Sequence, residues 1–227
     1  MSDGYPDDTN GTLVVGAFLT LDGVMQAPGA PGEDRDGGFA HGGWMAQYGD
    51  EKTGESVDRQ YTEADALLLG RKTYEIFASY WPQIDTEDNF LASKLNRMPK
   101  YVASRTLDDA AWNNSTLLST DVVQAVEDLK KERRDTILVQ GSSNLIQTLL
   151  AYDLVDEFRL WVFPLVLGEG KRLFGDGTVP ANLELTNTET SSTGVQILHY
   201  ERAGKIEYGT VGSDDGAART VGSSQEE

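Results

Sequence analysis

Three short segments of this 227-residue chain carry groups suited to anions. Gly70-Arg71-Lys72-Thr73 follows the apolar triplet Leu67-Leu68-Leu69 and precedes Tyr74, Phe77 and Trp81, which recur at helical spacing. Glycine lets a ligand approach the backbone closely. Two cations and a hydroxyl then stand at a helix start, where free N–H groups and the helix dipole favour negative charge. The same residues read equally well as a helix cap with solvated charges. Ser104-Arg105-Thr106 follows Tyr101-Val102-Ala103. A hydroxyl beside a guanidinium fork suits a phosphate monoester, although a surface turn is the simpler account of that segment alone. Gly141-Ser142-Ser143-Asn144 lies between Ile137-Leu138-Val139-Gln140 and the helical face of Leu145, Ile146, Leu149 and Leu150. Its glycine opens room for a pyrophosphate, and Ser or Asn can cap the helix; many ordinary strand–helix turns share this make-up. No segment is a Walker loop or a Gly-x-Gly-x-x-Gly fingerprint.

The elements around these segments decide whether they meet. Leu13 to Leu19 is a continuous apolar run, as in a strand covered on both faces. Leu67–Leu69, Tyr101–Ala103 and Ile137–Val139 are further short strands, and Phe158, Leu160 and Val162 alternate as a later one. Val195 to Tyr200 reads as a closing strand, and Ile206 to Val211 as another. Helical stripes intervene at Val57, Tyr61 and Ala64, and at Val122, Val126 and Leu129, the latter with Ser119, Thr120 or Asp121 as N-cap. Strand–helix alternation predicts an α/β fold with a mainly parallel central sheet, helices on both faces and antiparallel closing strands. In such sheets ligands sit beyond the carboxyl ends of the strands, where all three segments fall. A dinucleotide with a pyrophosphate and a 2′-phosphate would need that many anion sites, and Arg71 with Arg105 favours NADP over NAD.

Composition narrows the chemistry. There is no cysteine, which removes disulfides, thiolate nucleophiles and Cys-based zinc sites. The only histidines are His41 and His199, too few for a multi-histidine metal centre, so no metal is expected. The net charge of −18 repels nucleic acid and anionic membranes. It reads as solubility, as adaptation to a salty cytoplasm, or as recognition of a basic partner. Against it, any cluster of Arg and Lys is informative. No apolar run approaches the roughly 20 residues of a membrane span, and the polar, acidic N-terminus is unlike a signal peptide, so the cytoplasm is the default. Residues 1–11 and 209–227, rich in Gly, Ser, Asp and Glu, read as disordered tails around one domain over 12–208. The Gly/Pro/Asp-rich stretch 26–43 is long enough to be a lid or binding loop.

Several motifs together resemble the reductase domain of riboflavin biosynthesis and, more distantly, dihydrofolate reductase. They are Thr20-Leu21-Asp22-Gly23, Leu68 to Glu75, Tyr80-Trp81-Pro82, Gly141-Ser142-Ser143 with Leu145, Leu154-Val155-Asp156-Glu157, and Pro164 to Gly170. Their order spans roughly residues 12 to 202. The resemblance implies a dihydrofolate-reductase-like fold, NADPH as hydride donor and a homodimer. It implies that Gly70, Arg71, Lys72 and Thr73 meet cofactor phosphates, that Ser104 and Arg105 meet the 2′-phosphate end, and that Gly141, Ser142, Ser143 and Leu145 lie along the pyrophosphate. It puts Asp22 and the turn Gly168-Glu169-Gly170 near nicotinamide and substrate. The expected reaction is hydride transfer to an electron-poor C=N or C=O of a small heterocycle or sugar derivative, of the ribosylamino-pyrimidine kind, as in a 5-amino-6-(5-phosphoribosylamino)uracil reductase. Asp22 could deliver the matching proton, although Asp-Gly is also a strong turn signal. Trp44 and Trp81 could stack on a ring, although a core or interface role is the simpler account of each, given the area an indole buries. The zinc-binding deaminase residues that often accompany the riboflavin enzyme are missing. The acidic position of dihydrofolate reductase falls near Asp50 or Glu51 without a fixed register. The alternatives are an NADP-binding module without turnover and a folate- or pteridine-directed reductase.

Overall fold

The computed structural model describes residues 10–209. Of the two expected tails, only Asn10, Gly11 and Gly209 lie inside that range. Gly11 is buried and belongs to the fold, its N–H donating to the Lys130 carbonyl at 2.6 Å.

The chain runs β1 (Thr12–Thr20), α1 (Glu51–Glu63), β2 (Ala66–Gly70), α2 (Arg71–Tyr80), α3 (Phe90–Arg97), β3 (Lys100–Ala103), β4 (Ser115–Leu118), α4 (Val122–Arg133), β5 (Thr136–Gln140), α5 (Ser143–Ala151), β6 (Glu157–Phe163), β7 (Leu183–Thr190) and β8 (Gln196–Arg202). The strands form one sheet in the order β4-β3-β2-β5-β1-β6-β8-β7. The first six in that order are parallel neighbours; β8 pairs antiparallel with β6, and β7 antiparallel with β8. This is the expected architecture. Ile206 was expected to open a last strand, but Ile206 to Gly209 carries none. Among the described residues no helix is long and apolar enough to cross a membrane.

The strand period of two sorts β1 between two cores. Leu13, Val15, Ala17 and Leu19 face α4 and α5, packing with Val126, Leu129, Ile146 and Leu149. Val14 meets Tyr61, Leu67, Tyr74 and Leu95 on the face covered by α1 to α3. Phe18, further along that face, packs on Trp161 with ring centroids 5.3 Å apart. Burying each such side chain contributes about 1.5–3 kcal/mol, which is why the central strands are apolar throughout. The register sets the functional edge. Gly70 pairs with Ala103 across β2 and β3, and Leu68 pairs with Val139 across β2 and β5. The last residues of β2, β3 and β5 therefore end side by side.

Candidate functional site: a two-walled cleft

A cleft of about 1960 Å³ opens along this carboxyl edge, from the end of β4 to the end of β6. One wall is built by the turns after β2, β3 and β5. The backbone turns left-handed at Gly141 (φ 60°) and again at Ser142 (φ 62°, ψ 48°) before α5 begins. A serine in that region costs about 1–2 kcal/mol, and hydrogen bonds hold it there. The Ser142 hydroxyl accepts from the Gly70 N–H at 2.9 Å, and the Ser142 N–H donates to Thr73 Oγ1 at 3.0 Å. A Cβ on Gly141 would stand 3.2 Å from Thr73 Oγ1 and Cγ2, so glycine lets the two turns close on each other without Thr73 giving way. Leu145 is buried beneath Gly70.

The starts of α2 and α5 share a property. Neither Gly70 nor Ser142 provides a side-chain cap, whereas Asp50, Asn89 and Asp121 cap α1, α3 and α4. The first N–H groups of an uncapped helix have no intrahelical partner and attract anions. Arg71 reaches from α2 to the turn after β3, donating from Nη1 to Thr106 Oγ1 at 3.0 Å, with Glu75 3.6 Å from its Nε. Arg105 lines the cleft, and among the described residues no carboxylate pairs with it. The fold therefore brings Gly70, Arg71, Thr73, Arg105, Gly141, Ser142, Ser143 and Leu145 together along one cleft. Two members behave differently. Ser104 lines the cleft, and its hydroxyl accepts from the Thr106 and Leu107 N–H groups at 3.2 and 3.0 Å, so its lone pairs serve its own turn and only its O–H can donate to a ligand. The Lys72 ammonium turns away from the phosphate-like turns to Asp34, at 2.8 Å, and Asp36.

The opposite wall comes from residues 17–61, with Phe163 and Lys171. Its first part is the 26–43 loop, organised around buried Gln26, whose side-chain amide donates to the Asp34 and Asp36 carbonyls at 3.2 and 3.0 Å and accepts from the Lys171 N–H at 3.0 Å. Lys171 Nζ lies 2.6 Å from Asp34 and 2.8 Å from Asp36. With Lys72 these groups form a four-charge clasp that ties the loop after β1 to α2, across the end of β5. Hydrogen bonds from Lys171 and Lys72 hold the Asp36 carboxyl down at about 2. Burial pushes Glu33 upward, against hydrogen bonds from the Gly29 and Ala30 N–H groups at 2.6 and 3.1 Å. Asp50 accepts from the Thr53 N–H at 2.8 Å and from Ser192 N–H and hydroxyl, each at 2.7 Å, and Thr53 and Ser192 keep it well below the carboxylate range.

The remaining expectations need correction. Asp22 does not line the cleft. Its carboxylate accepts from Thr20 Oγ1 at 2.6 Å, the Leu167 N–H at 3.2 Å and the Gly168 N–H at 2.8 Å. The Thr20 hydrogen bond, followed by those two backbone donors, brings its pKa down to about 2, which makes it a poor proton donor and a firm tie between two loops. Gly168-Glu169-Gly170 also lies off the cleft. A Cβ on Gly170 would meet Val24 at 2.7 Å and Phe39 at 2.9 Å, so that glycine serves packing, and exposed Glu169 faces His41 at 3.5 Å. Trp44 is buried, donates from Nε1 to the Gln26 carbonyl at 2.8 Å and stands edge-on to Phe163, so it is a core residue. Glu33, Asp34, Asp36 and Lys171 were missed. The long Gly/Pro/Asp-rich loop was their signal, but nothing in a loop's composition says which carboxylate turns inward.

Comparison with known proteins agrees with this fold. A family model described as the RibD C-terminal domain matches residues 12–197. The uncharacterized protein YyaP of Bacillus subtilis (strain 168) is 37% identical over 141 residues, 61% of this chain and 74% of YyaP. A putative riboflavin biosynthesis protein from Shewanella sp. PV-4 is similar in structure with a TM-score of 0.64 at 22% identity, over 85% of this chain and 99% of that one. For the diaminohydroxyphosphoribosylaminopyrimidine deaminase/5-amino-6-(5-phosphoribosylamino)uracil reductase of Thermotoga maritima the TM-score is 0.57 at 16% identity, over 86% and 57% of the two chains. For dihydrofolate reductase from Enterococcus faecalis, complexed with NADP(H), it is 0.53 at 14% identity, over 85% and 97%.

Proposed function

This chain belongs to the RibD C-terminal domain family, and from that premise we propose that it is an NADPH-dependent reductase acting on a small heterocycle of the ribosylamino-pyrimidine kind. The observation that carries the reading is the pair of uncapped helix starts, α2 and α5, bolted together through Ser142 in the same cleft as the guanidinium of Arg105, which has no carboxylate partner among the described residues. A dinucleotide phosphate needs N–H groups for its pyrophosphate and cations for its 2′-phosphate. The residues suit that group. The α2 and α5 turns offer backbone donors with no side chain at Gly70 or Gly141 in the way; Arg71 stands at the α2 start itself, and Arg105 stands one strand further along the edge, after β3. The Enterococcus faecalis dihydrofolate reductase, similar in fold, is complexed with NADP(H), which supports the same cofactor.

The nicotinamide supplies the hydride when the cofactor is bound. The chain's own residues do the rest. Phe18, Met25, Met45, Val57 and Phe163 give the ring of a substrate an apolar wall, and the clasp between Lys72 and the 26–43 loop limits water at the reacting end. Glu33, the cleft carboxyl that burial raises, is the residue to which we assign the matching proton. A small-molecule substrate, a homodimer and a cytoplasmic setting belong to the same reading. Binding without turnover is the second reading, favoured by the engagement of Asp22 in loop contacts. Titration with NADPH and NADH, followed by nicotinamide fluorescence, tests both. NADPH preferred and oxidised on addition of an aminopyrimidine supports the reductase; NADPH bound but never oxidised supports the module; neither nucleotide bound ends both.

A further inference from the structure

We infer that the side-chain amide of Gln140 recognises the substrate, donating a hydrogen bond to a ring carbonyl oxygen of the heterocycle at the line where the two walls of the cleft meet. The inference rests on the reductase reading and gives it a specificity-determining residue.

Gln140 is the last residue of β5, with its main chain in one wall and its side chain turned toward the other. Its carbonyl accepts from the Ser142 hydroxyl at 3.2 Å, inside the turn proposed for the pyrophosphate. Its side chain follows that of Leu138 onto the sheet face covered by α1 to α3, the side of the substrate wall. The register places it beside Gly16 of β1. There Gln60, on α1, donates from Nε2 to Gln140 Oε1 at 3.1 Å. A Cβ on Gly16 would stand 2.7 Å from both Gln60 amide atoms and 2.8 Å from Gln140 Oε1, so the glycine makes the room that the pair occupies.

Packing alone does not call for two amides here, because a buried polar atom left unpaired destabilises the fold. Yet Gln60 is 1% exposed, and its Oε1 has no hydrogen-bond partner among the described residues. Gln140 is 5% exposed and lines the cleft, and its Nε2 meets no acceptor among the described residues. The Gln60 hydrogen bond engages the Gln140 oxygen and leaves the N–H groups of Nε2 for the cleft. Turning both amides over would bury an unpaired amino group at Gln60 in place of an unpaired oxygen, and a buried N–H without an acceptor is the less tolerated of the two. Two N–H donors held from behind suit an oxygen on a flat ring that lies against Phe18 and Val57. A cyclic amide or imide carbonyl, as in a uracil, is such an acceptor. An amino group in its place would set N–H against N–H.

The test uses the full chain saturated with NADP+, which carries no hydride to transfer, and two probes whose affinities are read by calorimetry. One is an aminouracil bearing a ribosyl phosphate; the other is the matched pyrimidine with amino groups in place of the ring carbonyls. The aminouracil should bind roughly tenfold more tightly or better, because a site built to hydrogen-bond one group is left with unpaired donors against the wrong one. Gln140→Leu should remove that preference by weakening the aminouracil by a similar factor, while the other probe and NADP+ stay within about threefold. Gln140→Glu, of nearly the same shape but without the donor, should reverse the preference, and it decides the matter if the Leu variant does not fold. Gln60→Leu should narrow the preference to about threefold, since Gln60 is a positioning residue that acts through Gln140. A folded Gln140 variant that keeps the original preference overturns the inference. So does equal weakening of both probes and NADP+, which marks a strut between α1 and β5, and so does a loss confined to NADP+, which would give the amide to the nicotinamide carboxamide. Binding of neither probe while NADP+ binds overturns the uracil-type substrate and leaves the cofactor site standing. Failure to bind NADP+ removes the reductase reading first, and this inference with it.

Discussion

The two walls of the cleft contain the same kinds of anion-binding element and treat them in opposite ways. On the wall of residues 17–61, the α1 N-terminus is filled by Asp50, the Gly29–Ala30 nest by Glu33, and the lysines by Asp34 and Asp36. On the wall built by the β2, β3 and β5 turns, the starts of α2 and α5 carry no side-chain cap and Arg105 has no carboxylate partner among the described residues. In a chain with 37 acidic and 19 basic residues, carboxylates are abundant. A wall whose helix starts no carboxylate caps is therefore the informative one. On the proposed reading it is the wall that receives the phosphates of the cofactor.

The hardest blow to this contrast is to remove the cations of the anion-receiving wall. Replacing Arg71 and Arg105 together with Ala should weaken NADPH binding ~100-fold or more, since each hydrogen bond to a charged group contributes about 1.5–3 kcal/mol. NADH should be affected far less, so the preference between the two nucleotides collapses. Fluorescence titration of both reads this directly. Unchanged NADPH affinity would mean that the cofactor lies elsewhere.

A subtler change makes one wall resemble the other. Ser143 opens α5 and lines the cleft. Ser143→Asp puts a carboxylate in the first turn of α5, one residue after the position that Asp50 holds in α1. An anion in the first turn favours the helix by about 0.3–1 kcal/mol, yet it repels a cofactor phosphate by roughly 2 kcal/mol at partly screened range. The variant should melt no lower than the unaltered chain and bind NADPH ~30-fold more weakly. Loss of stability together with affinity would point to disrupted folding and sink the electrostatic account.

Much of the basic wall was legible in sequence because its logic is local. A short apolar strand, a glycine and a helix start are neighbours in the chain, as at Leu69-Gly70-Arg71 and Gln140-Gly141-Ser142. The central strands were legible for a similar reason, since burial on both faces writes continuous apolar runs. The edge strands β4 and β7 went unread. In β7, Thr186, Asn187 and Thr188 are exposed, and no alternation marks the strand. The acidic wall was illegible because its meaning lies in pairing. Asp34 and Lys171 are 137 residues apart, and no local pattern joins them.

Gly141→Ala probes the hinge on which the basic wall closes. The added methyl would sit 3.2 Å from Thr73 at a backbone φ of 60°, so both the contact and the left-handed turn oppose it. A cost of about 1–2 kcal/mol is expected for the conformation, read as a fall in melting temperature of roughly 2–8 °C. Displacement of Thr73 would loosen Ser142 as well, and NADPH affinity should drop ~10-fold. A variant with full affinity would show that the α2 and α5 turns bind independently.

Asp22 draws the smallest effect and separates a tie from a catalyst. Its carboxylate joins the turn after β1 to N–H groups at Leu167 and Gly168, 145 and 146 residues away. Asp22→Asn keeps one acceptor oxygen and turns an amide toward the other donors, so about 1–2 kcal/mol of stability should be lost. The pH dependence carries the sign. Folding lowers this pKa from 3.8 to about 2, so the stabilisation is present above the higher value and is lost as pH falls through the lower one. The gap in stability between the two proteins should therefore be constant near neutrality and narrow between those two values. Turnover per folded molecule should stay within about twofold, because the group lies outside the cleft and is already ionised. A fall of a hundredfold or more in kcat, with melting unchanged, would return Asp22 to the reaction and move the reacting centre toward the Gly168 turn.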